Sequence, residues 1–401
     1  MIPTVQNELP PSNSLSLVLR HPTPEECRAI SKSTFSTWAD SLTPTLYLEE
    51  SRYLTTIPLA KDGGMTSWVL VHKDQAEGER DILCSCETFR KRCLVSDARG
   101  SVQERVVHGI ASVFCAPSYR GMGYASRMMR ELVKELYTWQ AGNEPCVGST
   151  LYSDIGKKYY AKLGWSPNTA NSHVELRPAD IAWPSLATPV TEDKIEALCR
   201  RDEVLVRARM ALPTEEAETR FTIMPDHDHI LWHLAKETFA CKHIFDKVPT
   251  LKGAIAGAPG NQVWALWTHR YYSHPFTSSS DNKNSKILYI LRLALETDET
   301  ATCLPSSATK YPTGDILDQQ AQSLKAVLQA AQAEAKEWNL DAVQLWNPTP
   351  LVQHLICQIE IQHELVEREE DGIASLLWYD GQGGNSQKHP VWVNNEYYAW
   401  Q

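Results

Sequence analysis

The run RVVHGIASVFCAPSYRGMGYA, from Arg105 to Ala125, constrains this chain more than any other stretch. Its β-branched start reads as a strand over 106–114. Glycines follow at 121 and 123, and Ala125, Met129, Leu132, Val133 and Leu136 then recur at helical spacing over 121–136. A helix that begins straight after a strand and turn presents backbone N–H groups with no internal partner, and the helix dipole favours an anion there. Gly121 and Gly123 allow the backbone to close around a diphosphate, and Arg120 adds a charge-assisted bond. The run is not a dinucleotide fingerprint, because Ser126 stands where a third glycine would fall. No Gly-Lys-Ser/Thr follows, so it is not a P-loop either.

The surrounding pattern runs β-α-α-β-β-β-α-β-α-β. Its first strand is 15–19, and Thr23-Pro24-Glu25-Glu26 opens the first helix with a cap, a proline and early acids. Residues 1–13 read as a flexible arm, 14–180 as a first domain and 181–190, with prolines at 184 and 189, as a linker. Residues 191–401 form a second unit whose element order from Val263 onward repeats the later half of the first. A long Ala/Gln/Lys helix over 317–338 lies within it.

With 401 residues the chain has room for two domains. Its net charge of -10 argues against nucleic-acid binding, which needs a basic footprint. No leader-like segment stands at the start and no apolar run reaches the length of a bilayer span. The expectation is a cytoplasmic chain without membrane or nucleic-acid partners, its oligomeric state left open. Cys84, Cys86 and Cys93 lack paired metal-ligand spacing. His229 and His233 share a helix face, but Ile230 holds the place a zinc-protease glutamate would need, so no metal is expected.

Arg120-Gly-Met-Gly-Tyr-Ala125 resembles the Arg/Gln-x-x-Gly-x-Gly/Ala loop of the GNAT superfamily of acetyltransferases. Tyr159-Tyr160-Ala-Lys-Leu-Gly164-Trp165 resembles its second motif, and the two stand in the required order. The resemblance implies an α+β GNAT fold, a mixed central sheet flanked by helices, followed by a second, degenerate GNAT-like α/β domain. It implies acetyl-CoA as cosubstrate, held by Val113, Phe114, Tyr119, Arg120, Gly121, Met122, Gly123, Tyr124 and Ala125. A narrower resemblance, carried by Leu151-Tyr-Ser-Asp-Ile-Gly156 before Tyr160 and by the large second domain, is to the fungal lysine acetyltransferases of lysine catabolism. That family acetylates the side-chain amine of free L-lysine.

The chemistry requires a neutral amine, a donor for the developing oxyanion and a proton for the departing thiolate. Tyr160 matches the family's usual acid, with a packed aromatic as the bland alternative. The usual strand glutamate is absent, since its place falls on Ala111. His108, three residues earlier, stands in as catalytic base, against the reading of an idle strand histidine. Asp154 is either an ammonium ligand or a helix cap. Asn347 and Gln401 are expected to contribute to the substrate pocket, the latter through a carboxylate entering the cleft. Other small amines, a protein lysine and a non-catalytic acyl-CoA sensor stand as alternatives.

Overall fold

In the computed structural model, which describes residues 9–215, 217–275, 285–297 and 314–401, the Arg105–Ala125 run lies at the centre of the first of two mixed sheets. The first half supplies β1 (Leu17–Arg20), α1 (Pro24–Trp38), α2 (Pro44–Leu54), β2 (Met65–His72), β3 (Cys84–Asp97) and β4 (Val102–Phe114). It continues through α3 (Tyr124–Leu136), β5 (Gly148–Ser153), α4 (Lys158–Ala161), β6 (Ser166–Pro167) and β7 (Ser172–Leu176). The second half contains β8 (Ala187–Val190), α5 (Glu192–Met210), β9 (Thr219–Ile223), α6 (His227–Phe245), β10 (Gly253–Ala256), β11 (Val263–Tyr271) and β12 (Lys286–Leu295). Then come α7 (Asp315–Glu337), β13 (Ala342–Trp346), α8 (Pro350–Gln358), β14 (His363–Glu367), β15 (Ile373–Trp378) and β16 (Val391–Trp392).

Local sequence chemistry accounts for the helix starts. Thr23 caps α1 in a reciprocal box with Glu26, and Pro stands in the first turn of α1, α2 and α8. The amphipathic face of α3 buries Tyr124, Met128, Met129, Leu132 and Leu136 against the first sheet. On the other face of that sheet, Phe89 and Ala111 pack against Trp232 and Ala235 of α6. The second sheet buries Leu324, Val327, Ala330 and Ala331 of α7 in the same manner. Each sheet has a parallel pair spanned by a crossover helix, β4–β5 and β12–β13, and the first sheet also carries β16 parallel to β9.

The two halves exchange strands. The first sheet runs β1-β2-β3-β4-β5-β15-β6, and the second runs β14-β7-β13-β12-β11-β10-β8. β15 enters the first sheet antiparallel to β5, Ile373 facing Ser153, while β7 enters the second antiparallel to β13, Leu176 facing Val343. β9 adds to the far end of β3, with Ile223 opposite Cys93. The division at 180 therefore needs correcting at 172–176, which lies in the second sheet. The expected linker contains β8, an edge strand paired with β10. Alternating burial marks a segment as a strand but does not say which open edge it will cover.

The expected flexible arm needs a similar correction over its described part. Pro10 O accepts from Tyr124 Oη at 2.6 Å and Ser12 O accepts from Arg127 at 3.4 Å, so residues 9–13 lie across the start of α3. Residues 1–8 lie outside the described residues.

Candidate active site

After β4 the chain makes a short 3-10 turn at Pro117–Tyr119 and passes through Gly121 (φ 79°) and Gly123 (φ 85°) into α3. Gly123 is the N-cap of α3, and no side chain caps that end. A Cβ on Gly121 would meet nothing within 4 Å, so the loop is open there. At Gly123 a Cβ would approach Ser12 Oγ to 2.8 Å, which a left-handed glycine avoids. The uncapped amides, the open Gly121 and the exposed Arg120 fit a diphosphate. Arg120 Nε donates to Cys115 O at 3.0 Å, which ties the guanidinium to the loop. Met122 is exposed, while Tyr119 and Ala125 pack on the apolar core under α3.

β4 and β5 stay in register only from Val107/Gly148 to Ile110/Leu151, and they part beyond that point. Ser112 then adopts φ 53° and forms a β-bulge, so that two residues of β4 oppose one of β3 between the Glu87/Ala111 and Ser85/Phe114 pairs. Left-handed φ is costly for a serine, and such strain concentrates at working sites. The bulge turns Ser112 Oγ onto Glu87, to whose carboxylate it donates at 2.8 Å. Burial raises the Glu87 pKa, against opposing contributions from the Ser112 hydroxyl and the Lys236 ammonium. Val113 and Phe114 complete the strand beside the gap, and Phe114 meets Trp38 edge-on at 5.9 Å.

The sequence contained no sign of Glu87. It takes the place of the missing β4 glutamate from the neighbouring strand, directly across from Ala111. Glu87 and Phe89 project to the α6 face. Tyr160, on α4, lies in the opposite core with Cys84, Cys86 and Ile110, and burial raises its pKa. The carboxylate and the phenol thus lie on opposite faces of the first sheet.

The other expected residues are not all gathered there. His108 is fully buried on the α3 face, and neither ring nitrogen completes a hydrogen bond among the described residues. Burial lowers its pKa to about 4, although the nearby Gln140 amide favours the charged form. As a base serving an amine on the α6 side it is misplaced, because positions 108 and 111 of one strand point to opposite faces. Asp154, raised in pKa by burial, accepts from Gly372 N at 3.0 Å and ties the end of β5 to the approach of β15. Asn347 accepts from Ser172 N at 3.0 Å and donates to Asn395 O at 2.5 Å, joining β7 to the tail. Gln401 donates to Tyr398 O at 3.3 Å and its Oε1 has no partner among the described residues.

That tail crosses the α6 face of the first sheet. Lys91 Nζ donates to Ala399 O at 2.6 Å, and His233 Nε2 donates to Tyr398 O at 3.2 Å. His229 donates to Asp226, the N-cap of α6, at 2.7 Å. Both α6 histidines of the metal-like run therefore hold protein groups. Beside the tail, Lys236 Nζ contacts Glu50 at 2.7 Å and Asp40 at 3.8 Å, and Arg270 reaches Asp40 at 2.8 Å.

Residues 41–165 match the acetyltransferase (GNAT) family, which agrees with the parted parallel strands and the uncapped glycine loop. Fold and site define an N-acetyltransferase of the GNAT class, enzymes that draw the acetyl group from acetyl-CoA. Residues 172–401 match the family described as the LYC1 GNAT-like C-terminal domain. That match covers more than half of the chain, and the chain belongs to this family. A curated relative from Yarrowia lipolytica, named lysine acetyltransferase, is 24% identical over 322 residues, 70% of this chain and 75% of its own length. Among solved structures, a probable N-acyltransferase from Enterococcus faecalis aligns at TM-score 0.49 and 12% identity, over 92% of this chain and 73% of its own. A GCN5-related N-acetyltransferase from Kribbella flavida aligns at TM-score 0.49 and 14% identity, over 90% and 72%. No helix among the described residues is long and apolar enough to cross a membrane.

Proposed function

We propose that the chain transfers the acetyl group of acetyl-CoA to the side-chain amine of free L-lysine. When bound, acetyl-CoA supplies an activated thioester carbonyl. The observation that carries the reading is a buried carboxylate hydrogen-bonded to the β4 bulge on one face of the sheet and a buried phenol on the other. Glu87 stands on the α6 face with a raised pKa, suited to taking a proton from the acceptor's ammonium, so that the neutral amine attacks the thioester carbonyl. Tyr160 stands on the α3 face and keeps its proton to well above neutral pH, ready to hand it to the thiolate. In this reading Arg120 and the amides from Gly121 to Ala125 hold the diphosphate, flanked by Tyr119 and Met122. Backbone groups of Val113 and Phe114 hold the pantetheine arm and polarise the carbonyl. The base is Glu87 and not His108.

Lysine as acceptor is supported by the name of the Yarrowia relative, and a free amino acid by the cover over the acceptor side. Helix α6, the α1–α2 turn and the tail enclose that face, which suits a small substrate better than a protein chain. The test is thiol release from acetyl-CoA across a panel of free amino acids, polyamines and histone peptides. Saturable release with L-lysine, falling at least about tenfold in kcat for Tyr160→Phe, is the expected result. Release with peptides alone refutes the small-amine reading. Acetyl-CoA binding without turnover on any amine refutes catalysis.

A further inference from the structure

Two free cysteines meet beside the glycine loop, on the α3 face of the first sheet. β3 opens at Cys84 and β4 closes at Phe114, which lies opposite Ser85 in the antiparallel register. One step further out, the same register sets Cys84 opposite Cys115. Cα atoms that face each other across such a pair lie about 4.5–5.5 Å apart, within the span a disulfide bridges. Both side chains enter the apolar core under α3. Cys115 Sγ lies 3.3 Å from Leu83 O, the carbonyl bonded to the nitrogen of Cys84. The two thiols differ in access and in acidity. Cys84 is only 1% exposed, whereas Cys115 is half-buried. A hydrogen bond from the Cys84 thiol lowers the Cys115 pKa, burial opposes it and the Arg120 guanidinium adds to it. The same bond, together with burial, raises the Cys84 pKa. A reachable, thiolate-prone cysteine beside a second thiol is the arrangement of a peroxide-reactive pair. None of the roles given to Glu87, Tyr160 or the glycine loop uses either thiol.

Cys115 also joins the two parts of the acetyl-CoA site. It follows Val113 and Phe114 directly, and its carbonyl accepts from Arg120 Nε at 3.0 Å. We propose that hydroperoxides oxidise this pair to a Cys84–Cys115 disulfide, and that the bond shuts off acetyl-CoA binding. The Cys115 thiolate attacks one peroxide oxygen and the O–O bond breaks. The other oxygen leaves as hydroxide and takes up the proton Cys115 had released, giving water. Cys115 is then a sulfenic acid. The Cys84 sulfur attacks that sulfur, the S–S bond forms, and the sulfenic hydroxyl leaves as water with the Cys84 proton. The two thiols give up two electrons, and the peroxide ends as two waters. The new bond requires the Cβ atoms to close to about 3.8 Å, which draws the end of β4 onto β3. Phe114 and the carbonyl that anchors Arg120 move with it, away from the pantetheine arm and the diphosphate. A thiol reductant reverses the step. The loss of binding rests on the acetyl-CoA site proposed above, whereas formation of the bond does not.

In the experiment the full-length chain is treated with hydrogen peroxide, its remaining thiols are alkylated, and its peptides are mapped without reductant by mass spectrometry. Acetyl-CoA affinity is measured by calorimetry before treatment, after it, and after dithiothreitol. The expected result is a peptide pair linked through Cys84 and Cys115. With it the Kd for acetyl-CoA rises at least about tenfold, the loss of one charge-assisted bond, and dithiothreitol restores it. Untreated Cys84→Ser is expected to bind acetyl-CoA within about twofold of wild type. Under peroxide its Cys115 goes on to sulfinic acid, because the resolving thiol is gone. Should the buried serine unfold the chain, Cys115→Ser changes the half-exposed partner instead and is expected to abolish the reversible response. No linked pair in wild type, whether the thiols stay free or Cys115 becomes sulfinic, overturns the proposal. So does a linked form that binds acetyl-CoA as well as the reduced one, or an equal reversible loss in Cys115→Ser. Reduced wild type that does not bind acetyl-CoA refutes the acetyl-CoA site and the shut-off with it, and the peptide map still decides the bond.

Discussion

Glu87→Gln removes the proposed base while keeping an acceptor for the Ser112 hydroxyl, so any loss belongs to proton transfer and not to packing. General-base catalysis is worth roughly a hundredfold to ten-thousandfold, and kcat/KM for lysine is expected to fall by at least the smaller figure. Ser112 makes the argument quantitative. Its hydroxyl donates to the ionised carboxylate at 2.8 Å and opposes the effect of burial. A hydrogen bond to a charged group contributes about 1.5–3 kcal/mol, or roughly a tenfold to hundredfold change in proton affinity. Ser112→Ala should therefore raise the proton affinity of Glu87. The acid limb of the kcat/KM profile moves to higher pH, and the variant regains activity as pH rises. Glu87→Gln loses that limb and does not recover. The limb due to the substrate amine itself stays in place in every variant, which separates the two. The assay is initial-rate thiol release from pH 5 to 10. Near-wild-type kcat/KM in Glu87→Gln, or an unmoved acid limb in Ser112→Ala, refutes the assignment.

Three other outcomes follow from the geometry. Gly123→Ala places a methyl against Ser12 Oγ at a φ of 85°, and should weaken acetyl-CoA binding at least about tenfold by calorimetry; unchanged affinity removes the loop from the site. Burial holds the Lys91 pKa near 7, so from there to the ordinary value near 10.4 the unfolded chain binds the extra proton and this group makes stability rise with pH. The stability gain of Lys91→Met over wild type should shrink by about 4 kcal/mol from pH 7 to 10, and a pH-independent difference refutes the buried, discharged amine. Burial lowers the His108 pKa to about 4, so as pH falls from about 6.5 the unfolded chain gains a proton that the folded chain refuses, at about 3 kcal/mol in all. Denaturant titrations should show a shallower acid decline in His108→Leu, and equal slopes refute the neutral imidazole.

What could be read from sequence was what depends on neighbours along the chain. The phosphate loop, the α3 stripe and the Thr23 cap are local, and periodicity marks them. Strand parity already separates His108 from the Ala111 position, because residues three apart in a regular strand face opposite ways. Glu87 was out of reach for a different reason. Its hydrogen bond with β4 depends on a bulge at Ser112, and serine is not a residue type that announces φ 53°. The exchange of β7 and β15 was invisible because pairing partners hundreds of residues apart leave no trace in periodicity.

That exchange bears on why a lobe without a glycine loop forms part of the site. The acceptor face of the first sheet would stand bare without the second half. Lys236 comes from α6, Arg270 from the end of β11 and Trp400 from the tail, and Lys236 and Arg270 both reach Asp40 of the first half. The tail is fastened from both sides. Glu396 is gripped by Arg292, itself paired with Asp202 at 2.7 Å, and Leu293 N donates to Glu396 at 2.8 Å. Lys91 of the first sheet then takes Ala399 O, and Tyr398 Oη donates to Ile223 O at 2.6 Å. A wall held by both lobes cannot shift as a rigid door without breaking buried hydrogen bonds, each expensive to leave unmade. The interlocked strands therefore hold the tail across the α6 face of the first sheet from both sides.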